Sequence, residues 1–200
     1  MIDIKRVTFS RGANVILDEF SAQIRNGEAV LLSGSNGAGK STLIQLIGGF
    51  LSPDSGSIEI IGNDISKLKA KDQARLRSIA PQRRIFDLAF TVVQTLNFVP
   101  KKLRSLRTHQ IIEELGLVEL LDKKVTELSI GQQQRVSLAL ALTQEADFYL
   151  LDEPFAGQDA ASQVRIINLI NEIKNEKGVL AVSHNSDNTH SWFDREIVLN

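Results

Sequence analysis

The sequence predicts an α/β fold with a mainly parallel sheet, a small antiparallel β part and an inserted helical lobe. Three observations carry this expectation. Short apolar strands alternate with helical stretches near both ends of the 200-residue chain, the pattern of a parallel sheet covered by helices. The first 24 residues instead read as two consecutive strands joined by a tight turn, and strands joined that closely pair antiparallel. From about residue 83 to 145 a helical pattern interrupts the strands.

Taken in order, residues 2–9 and 15–24 read as strands, with the turn at Arg11-Gly12-Ala13-Asn14. Asn26-Gly27 reads as a hairpin signal into a third strand, Ala29 to Ser33. A Gly-rich loop leads into a helix from about Lys40 to Gly48. Ser52-Pro53-Asp54-Ser55-Gly56 is turn chemistry before a short strand, Ser57–Ile61, which ends at Gly62-Asn63-Asp64. Residues 77–82 form another strand, and Leu115-Gly116-Leu117 marks a helix end within the lobe. Strands return at 147–151, 178–183 and 195–199, with a helix over about 160–176. This divides the chain into one core, 1–82 and 146–200, and a helical lobe, 83–145, seated on it without a linker.

Bulk properties narrow the functional classes. With 23 basic and 24 acidic residues the net charge is −1, so nothing global points to nucleic acid or anionic lipid as a partner. There is no Cys, which excludes disulfides and thiolate metal sites. No apolar run approaches the roughly 20 residues of a membrane span, and Met1-Ile2-Asp3-Ile4-Lys5 does not open as a signal peptide. The cluster Lys101-Lys102-Leu103-Arg104 with Arg107 reads as a solvated face.

The chemistry begins at Gly34-Ser35-Asn36-Gly37-Ala38-Gly39-Lys40-Ser41, followed by Thr42. This is G-x-x-x-x-G-K-[ST] between an apolar strand and a helix, the setting of a phosphate-binding P-loop. Glycines let successive N–H groups converge on phosphate oxygens, and the helix N-terminus adds partial positive charge. Lys40 supplies a point charge for the outer phosphates, and the Ser41 hydroxyl is an Mg²⁺ ligand. A P-loop NTPase core follows. Apolar Phe148-Tyr149-Leu150-Leu151 then delivers Asp152 and Glu153 at a strand end, where a parallel sheet presents residues to ligand. Asp152 is placed to hold Mg²⁺, and Glu153 to polarise the water that attacks the γ-phosphate.

Leu128-Ser129-Ile130-Gly131-Gln132 resembles the signature motif, usually LSGGQ, of the ATP-binding-cassette (ABC) family. Ser129 and Gln132 also make a capping box, so local structure alone would explain them. Other elements follow in the family's order. Pro81-Gln82 is similar to the loop whose Gln contacts Mg²⁺ and the attacking water and couples to a membrane subunit. Pro154–Asp159 is similar to the dimer-contact loop, and Val182-Ser183-His184 to the segment whose switch His touches the γ-phosphate. The resemblance spans the chain. Three positions depart from it: Ile130 replaces the first signature glycine, Gln158 a usual Leu, and Arg11 stands near where a Tyr often stacks on adenine.

The resemblance implies an ATPase that uses ATP and Mg²⁺. Glu153, His184 and Gln82 would be catalytic; Ser41, Gln82 and Asp152 would hold the metal; and Ser129, Gly131 and Gln132 would meet the ATP of an opposing subunit. It implies a head-to-tail dimer, as a homodimer or with a paired cassette, attached to integral permease subunits at the cytoplasmic face of a membrane. Residues 81–92 and 152–160 resemble the ATPases of zinc, manganese and iron-chelate importers, whereas the short length and Arg11 are also similar to haem-exporter ATPases. Non-transport members of the family usually carry long coiled coils or tandem cassettes, and this sequence has neither. A simple nucleotide kinase would share the P-loop but not the Ser129–Gln132 element or His184.

Overall fold

The computed structural model describes residues 1–82, 86–183 and 193–199. Strands β1 (Ile2–Arg11) and β2 (Asn14–Ile24) pair antiparallel, with Arg11 opposite Asn14 across the Gly12-Ala13 turn. The buried apolar positions of β1 slip from even (Ile2, Ile4) to odd (Val7, Phe9). A strand alternates faces with period two, so keeping all four on one face requires an extra residue. The ladder accordingly shifts register between Ile4 and Val7. Strand β4 (Ser55–Ile60) pairs with the other side of β1, and the two-residue β5 (Asn63–Asp64) completes a four-stranded sheet in the order β2-β1-β4-β5.

The second sheet holds β3 (Ala29–Gly34), β6 (Arg77–Ala80), β7 (Phe148–Asp152), β8 (Gly178–Val182) and β9 (Arg195–Leu199). Its order is β6-β7-β8-β3-β9, and every pairing in it is parallel. The Asn26-Gly27 signal is therefore corrected. β2 and β3 lie in different sheets, so the turn between them is a passage from one layer to the next, not a hairpin. Asn26-Gly27 does form a turn, but pairing is decided by which layer buries Ala29–Leu32. Nothing in the sequence reading anticipated helix α2 (Ala70–Leu76), a short two-turn element with no buried residue.

Alternate residues of the parallel strands face two separate cores. Val30, Leu32, Phe148, Leu150, Leu180 and Val182 pack with the antiparallel sheet and with helix α1 (Lys40–Ile47). Tyr149, Leu151, Val179 and Ala181 face the opposite way, towards helix α6 (Ala160–Lys174) and the helical segment. That segment contains α3 (Val92–Leu96), α4 (Thr108–Glu114) and α5 (Ile130–Thr143), linked by single turns of 3₁₀ helix. Capping boxes start two of these helices, Thr91 with Gln94 on α3 and Ser129 with Gln132 on α5. The second half of α5 is buried on all sides, Val136 through Thr143. It is apolar all round because it lies between the lobe and the sheet.

Two members of the basic cluster have structural tasks. Arg104 donates to Asn97 Oδ1 at 3.0 Å and to the Val99 carbonyl at 3.2 Å, and Arg107 pairs with Glu176 at 3.0 Å. Lys101 and Lys102 remain exposed.

Phe148 is wholly buried, and its ring lies against Gly178 on the neighbouring strand. Truncating a buried Phe removes transfer energy and leaves a cavity, at about 3–5 kcal/mol. Phe148→Ala should lower unfolding free energy by that amount in chemical denaturation with little change in the slope.

Candidate functional site

The site forms at the C-terminal ends of β3, β7 and β8, which lie side by side with β8 in the middle. After β3 the chain curls through the glycine loop into α1. Gly39 caps this helix in the left-handed region, φ 97°, and no side chain caps its N-terminus. A Cβ on Gly39 would sit 2.7 Å from Ile16 Cγ2, so the loop packs against β2 with no room for a side chain. No acidic residue lies in the first turn, so the partial positive charge of the helix end is left for an external anion.

Lys40 is only 6% exposed. Its ammonium donates to the carbonyls of Gly34 at 2.7 Å and Ser35 at 2.8 Å. An ammonium has three donors, so one N–H is left to meet a phosphate oxygen. Lys40 lines a cavity of about 330 Å³ together with Arg11, Ile16, Asn36, Gly37, Gly39, Ser41, Thr42, Gln82 and Glu153. The structure thus brings residues from the loop, the end of β6, the end of β7 and the first hairpin to one opening.

Asp152 is buried, 6% exposed, at the last position of β7, opposite Val182 of β8. Glu153 follows with φ 55°, a left-handed conformation that non-glycine residues adopt at a cost of order 1–3 kcal/mol. Its backbone is held on both sides. The Glu153 N–H donates to Val182 O at 3.0 Å, and its carbonyl accepts from Ala156 N at 3.2 Å and from Gln134 Nε2 at 3.4 Å. These contacts fix an unfavourable turn that carries the Glu153 side chain to the cavity. The strain was not legible in the sequence, because no glycine marks it.

The candidate metal donors are all oxygens: the Ser41 hydroxyl, the Gln82 amide and the Glu153 carboxylate line the cavity, while the Asp152 carboxylate stands at the end of β7 and does not line it. Such a set suits a hard divalent cation. Among the described residues no group of three or more His, Cys, Asp or Glu could hold a metal without help. Mg²⁺ in phosphoryl chemistry is bound by one or two side chains plus phosphates and water, and the residues present fit that mode.

Ser129, Gly131 and Gln132 do not line this cavity. They form the N-terminal turn of α5, Ser129 exposed and Gly131 and Gln132 half-buried, where Gln132 N donates to Ser129 Oγ at 3.3 Å and Ser129 N donates to Gln132 Oε1 at 2.9 Å. The two signature positions that follow Ser129 differ physically. Ile130 is 86% exposed and touches nothing that would exclude a side chain. A Cβ on Gly131 would lie 2.8 Å from Gly157 O, backbone that cannot give way. In this chain only the second glycine is required by its own fold. Asp159 caps α6, accepting from Ser162 N at 2.7 Å, and this hydrogen bond holds its carboxyl below the usual range. His184 lies outside the described residues.

A family model described as "ABC transporter" matches residues 17–156. The chain belongs to the ABC transporter family. It is 36% identical over 212 residues to the zinc transport system ATP-binding protein TroB of Treponema pallidum, spanning 100% of this chain and 78% of the relative. It is 36% identical over 213 residues to the manganese transport system ATP-binding protein MntB of Bacillus subtilis, covering 99% and 82%. Among solved structures, a dimeric ATP-binding cassette in a post-hydrolysis state with ADP and Pi superposes with a TM-score of 0.87 at 25% identity, covering 100% of this chain and 94% of that one. As a member of the family the cassette is an ATP-binding ATPase. Among the described residues, none of its helices is long and apolar enough to cross a membrane.

The asymmetry between Ile130 and Gly131 is testable. Gly131→Ala forces a Cβ against the Gly157 carbonyl and should cost about 1–3 kcal/mol of stability. Ile130→Gly should stay within about 1 kcal/mol of wild type, as expected for an exposed helix position. Urea denaturation of both variants checks this, and equal losses would contradict the packing described.

Proposed function

We propose that this cassette hydrolyses MgATP between two nucleotide-binding subunits and so drives a membrane transporter. One observation carries the reading: Lys40 and Ser41 of α1, Gln82 after β6 and Glu153 after β7 open on one cavity above an uncapped helix end. The glycine loop and the N-terminus of α1 bind the phosphates, and Lys40 turns its remaining N–H to the outer ones. Ser41, Asp152 and Gln82 would hold Mg²⁺, which would neutralise charge on the phosphate oxygens. Glu153 takes a proton from water as its oxygen attacks the γ-phosphorus; the bond to ADP breaks, leaving ADP and phosphate. His184 contacts the γ-phosphate in this reading, and Arg11 stacks its guanidinium on the base.

Because the turn of Ser129, Gly131 and Gln132 is absent from its own chain's cavity, it serves the ATP of a second cassette, either a copy of this chain or a paired one. The chain then works as a nucleotide-binding core, 1–82 and 146–200, with a lobe, 83–145, that carries the signature turn to its neighbour. The permease subunits dock at the cleft between lobe and core, a cavity of about 240 Å³ rimmed by Phe50, Arg77, Phe98 and Pro100. Phe50 and Phe98 are exposed there, and Arg77 lies 5.4 Å from the Phe50 ring. Docking at this cleft holds the cassette peripherally on the cytoplasmic face of the membrane.

The cargo is a transition metal or its chelate, moved inward. The reading is supported by residues 81–92 and 152–160 and by the zinc and manganese transport roles of the two relatives. Cargo crosses through the permease, so this chain needs no cargo site of its own.

Two variants separate binding from chemistry. Lys40→Ala removes a charge-assisted contact worth about 1.5–3 kcal/mol, so calorimetry should show MgATP affinity reduced about 10- to 100-fold. Unchanged affinity would refute the loop assignment. Glu153→Gln should bind MgATP normally, turn it over about 10²–10⁴-fold more slowly and accumulate as an ATP-bound dimer in gel filtration.

Cells lacking the cassette should take up less radiolabelled zinc, manganese or metal chelate, with uptake restored by wild type and not by Glu153→Gln. Normal metal uptake with impaired movement of a lipid, sugar or drug would overturn the cargo while leaving the ATPase in place.

A further inference from the structure

The signature turn and the loop that carries Glu153 are joined inside one chain, away from the nucleotide cavity. Gln158 Nε2 donates to the Gly131 carbonyl at 3.0 Å. Gly131 itself presses on the Gly157 carbonyl, with its Cβ position 2.8 Å away. One turn along α5, Gln134 Nε2 reaches the Glu153 carbonyl at 3.4 Å. The far side of the loop is tied to α6, where Gln163 Nε2 donates to the Gln158 carbonyl at 3.1 Å. Gln158 does not line the cavity and so does not touch nucleotide bound there.

We propose that Gln158 is a positioning residue that locks the first turn of α5 to the loop of Glu153, so that movement at either end reaches the other within one chain. The proposal rests on the reading of the cavity as the ATP site. Its chemistry is specific. The Gly131 carbonyl is an acceptor, so the clamp needs a donor on a side chain of this length. A leucine or methionine fills similar space and donates nothing; a glutamate has the same shape and presents an acceptor to an acceptor.

The Gly131 carbonyl belongs to the capped turn in which Ser129 N donates to Gln132 Oε1 and Gln132 N to Ser129 Oγ, with Ser129 and Ile130 exposed. At the other end, Glu153 keeps a strained φ only because its neighbours hold it. A small displacement of the 153–158 loop therefore alters both the direction of the Glu153 carboxylate and the aim of the signature turn. Binding of nucleotide in the chain's own cavity is thereby conveyed to the surface it offers a neighbouring subunit.

The test uses the full chain alone, so it does not depend on knowing the partner. MgATP binding is measured by calorimetry for wild type, Gln158→Met and Gln158→Glu, alongside hydrogen–deuterium exchange over residues 129–135 with and without MgATP. All three should bind MgATP with affinities within about threefold of one another, because Gln158 lies outside the cavity. In wild type, MgATP should slow exchange over 129–135 by about three- to tenfold, the change expected when one hydrogen bond is reinforced. In both variants this nucleotide-dependent change should disappear. A residue that merely stabilised the fold would alter exchange equally with and without nucleotide, so the difference reports coupling. If either variant folds poorly, the other carries the test.

Wild-type protein that binds MgATP without any change over 129–135, or variants that keep the full change, would overturn the proposal and leave the ATP site standing. Wild-type protein that does not bind MgATP would remove the ATP reading and the proposal with it.

Discussion

A lysine that is almost entirely buried needs acceptors for its donors, and the curl of the loop between β3 and α1 supplies them. The two carbonyls that accept from Lys40 come from Gly34 and Ser35, at the point where the strand stops and the loop turns back. The curl is enforced from outside. A Cβ on Gly34 would run into the Leu199 carbonyl of β9, and one on Gly39 would meet Ile16 of β2. Both sheets therefore press on the same eight-residue loop, and the position of Ser41, Thr42 and the uncapped helix end follows from where that loop is held.

The motifs made by neighbouring residues were legible in the sequence, helix α2 and the strained Glu153 excepted, and pairings between distant residues were not. The glycine loop, the acids after Phe148–Leu151 and the Ser129–Gln132 cap each lie within a few residues, and each stands in the structure where local chemistry places it. The passage from β2 to β3 shows the limit. Asn26-Gly27 fixes a turn, but whether the flanking strands pair is decided by burial of Ala29–Leu32 in the centre of another sheet. Strand order was likewise out of reach, since β3 lies between β8 and β9, well over a hundred residues later. Gln158 could be noted as unusual, but its acceptor on Gly131 is 27 positions away, and no local rule joins them.

The helical lobe is not a separate module in physical terms. Val92, Leu96, Ile111 and Leu115 belong to the same buried cluster as Tyr149 and Leu151 of the parallel sheet. Helix α5 is the element common to both, with Ser78 Oγ on β6 donating to the Ala141 carbonyl at 2.8 Å. A lobe that shares its core with the sheet is held by packing at one end of this helix and by the Gln134 and Gln158 side chains at the other.

Helix α5 is also a lever. Its 14 residues span about 21 Å at 1.5 Å per residue. The buried end, near Leu142, is the fulcrum, and exposed Ser129 sits at the other tip. Over that length a tilt of about 5° moves the tip by about 2 Å, enough to make or break a hydrogen bond whose useful range is a few tenths of an ångström. A rotation too slight to disturb the packing at the fulcrum is thus enough to make or break the Gln158–Gly131 hydrogen bond near the tip.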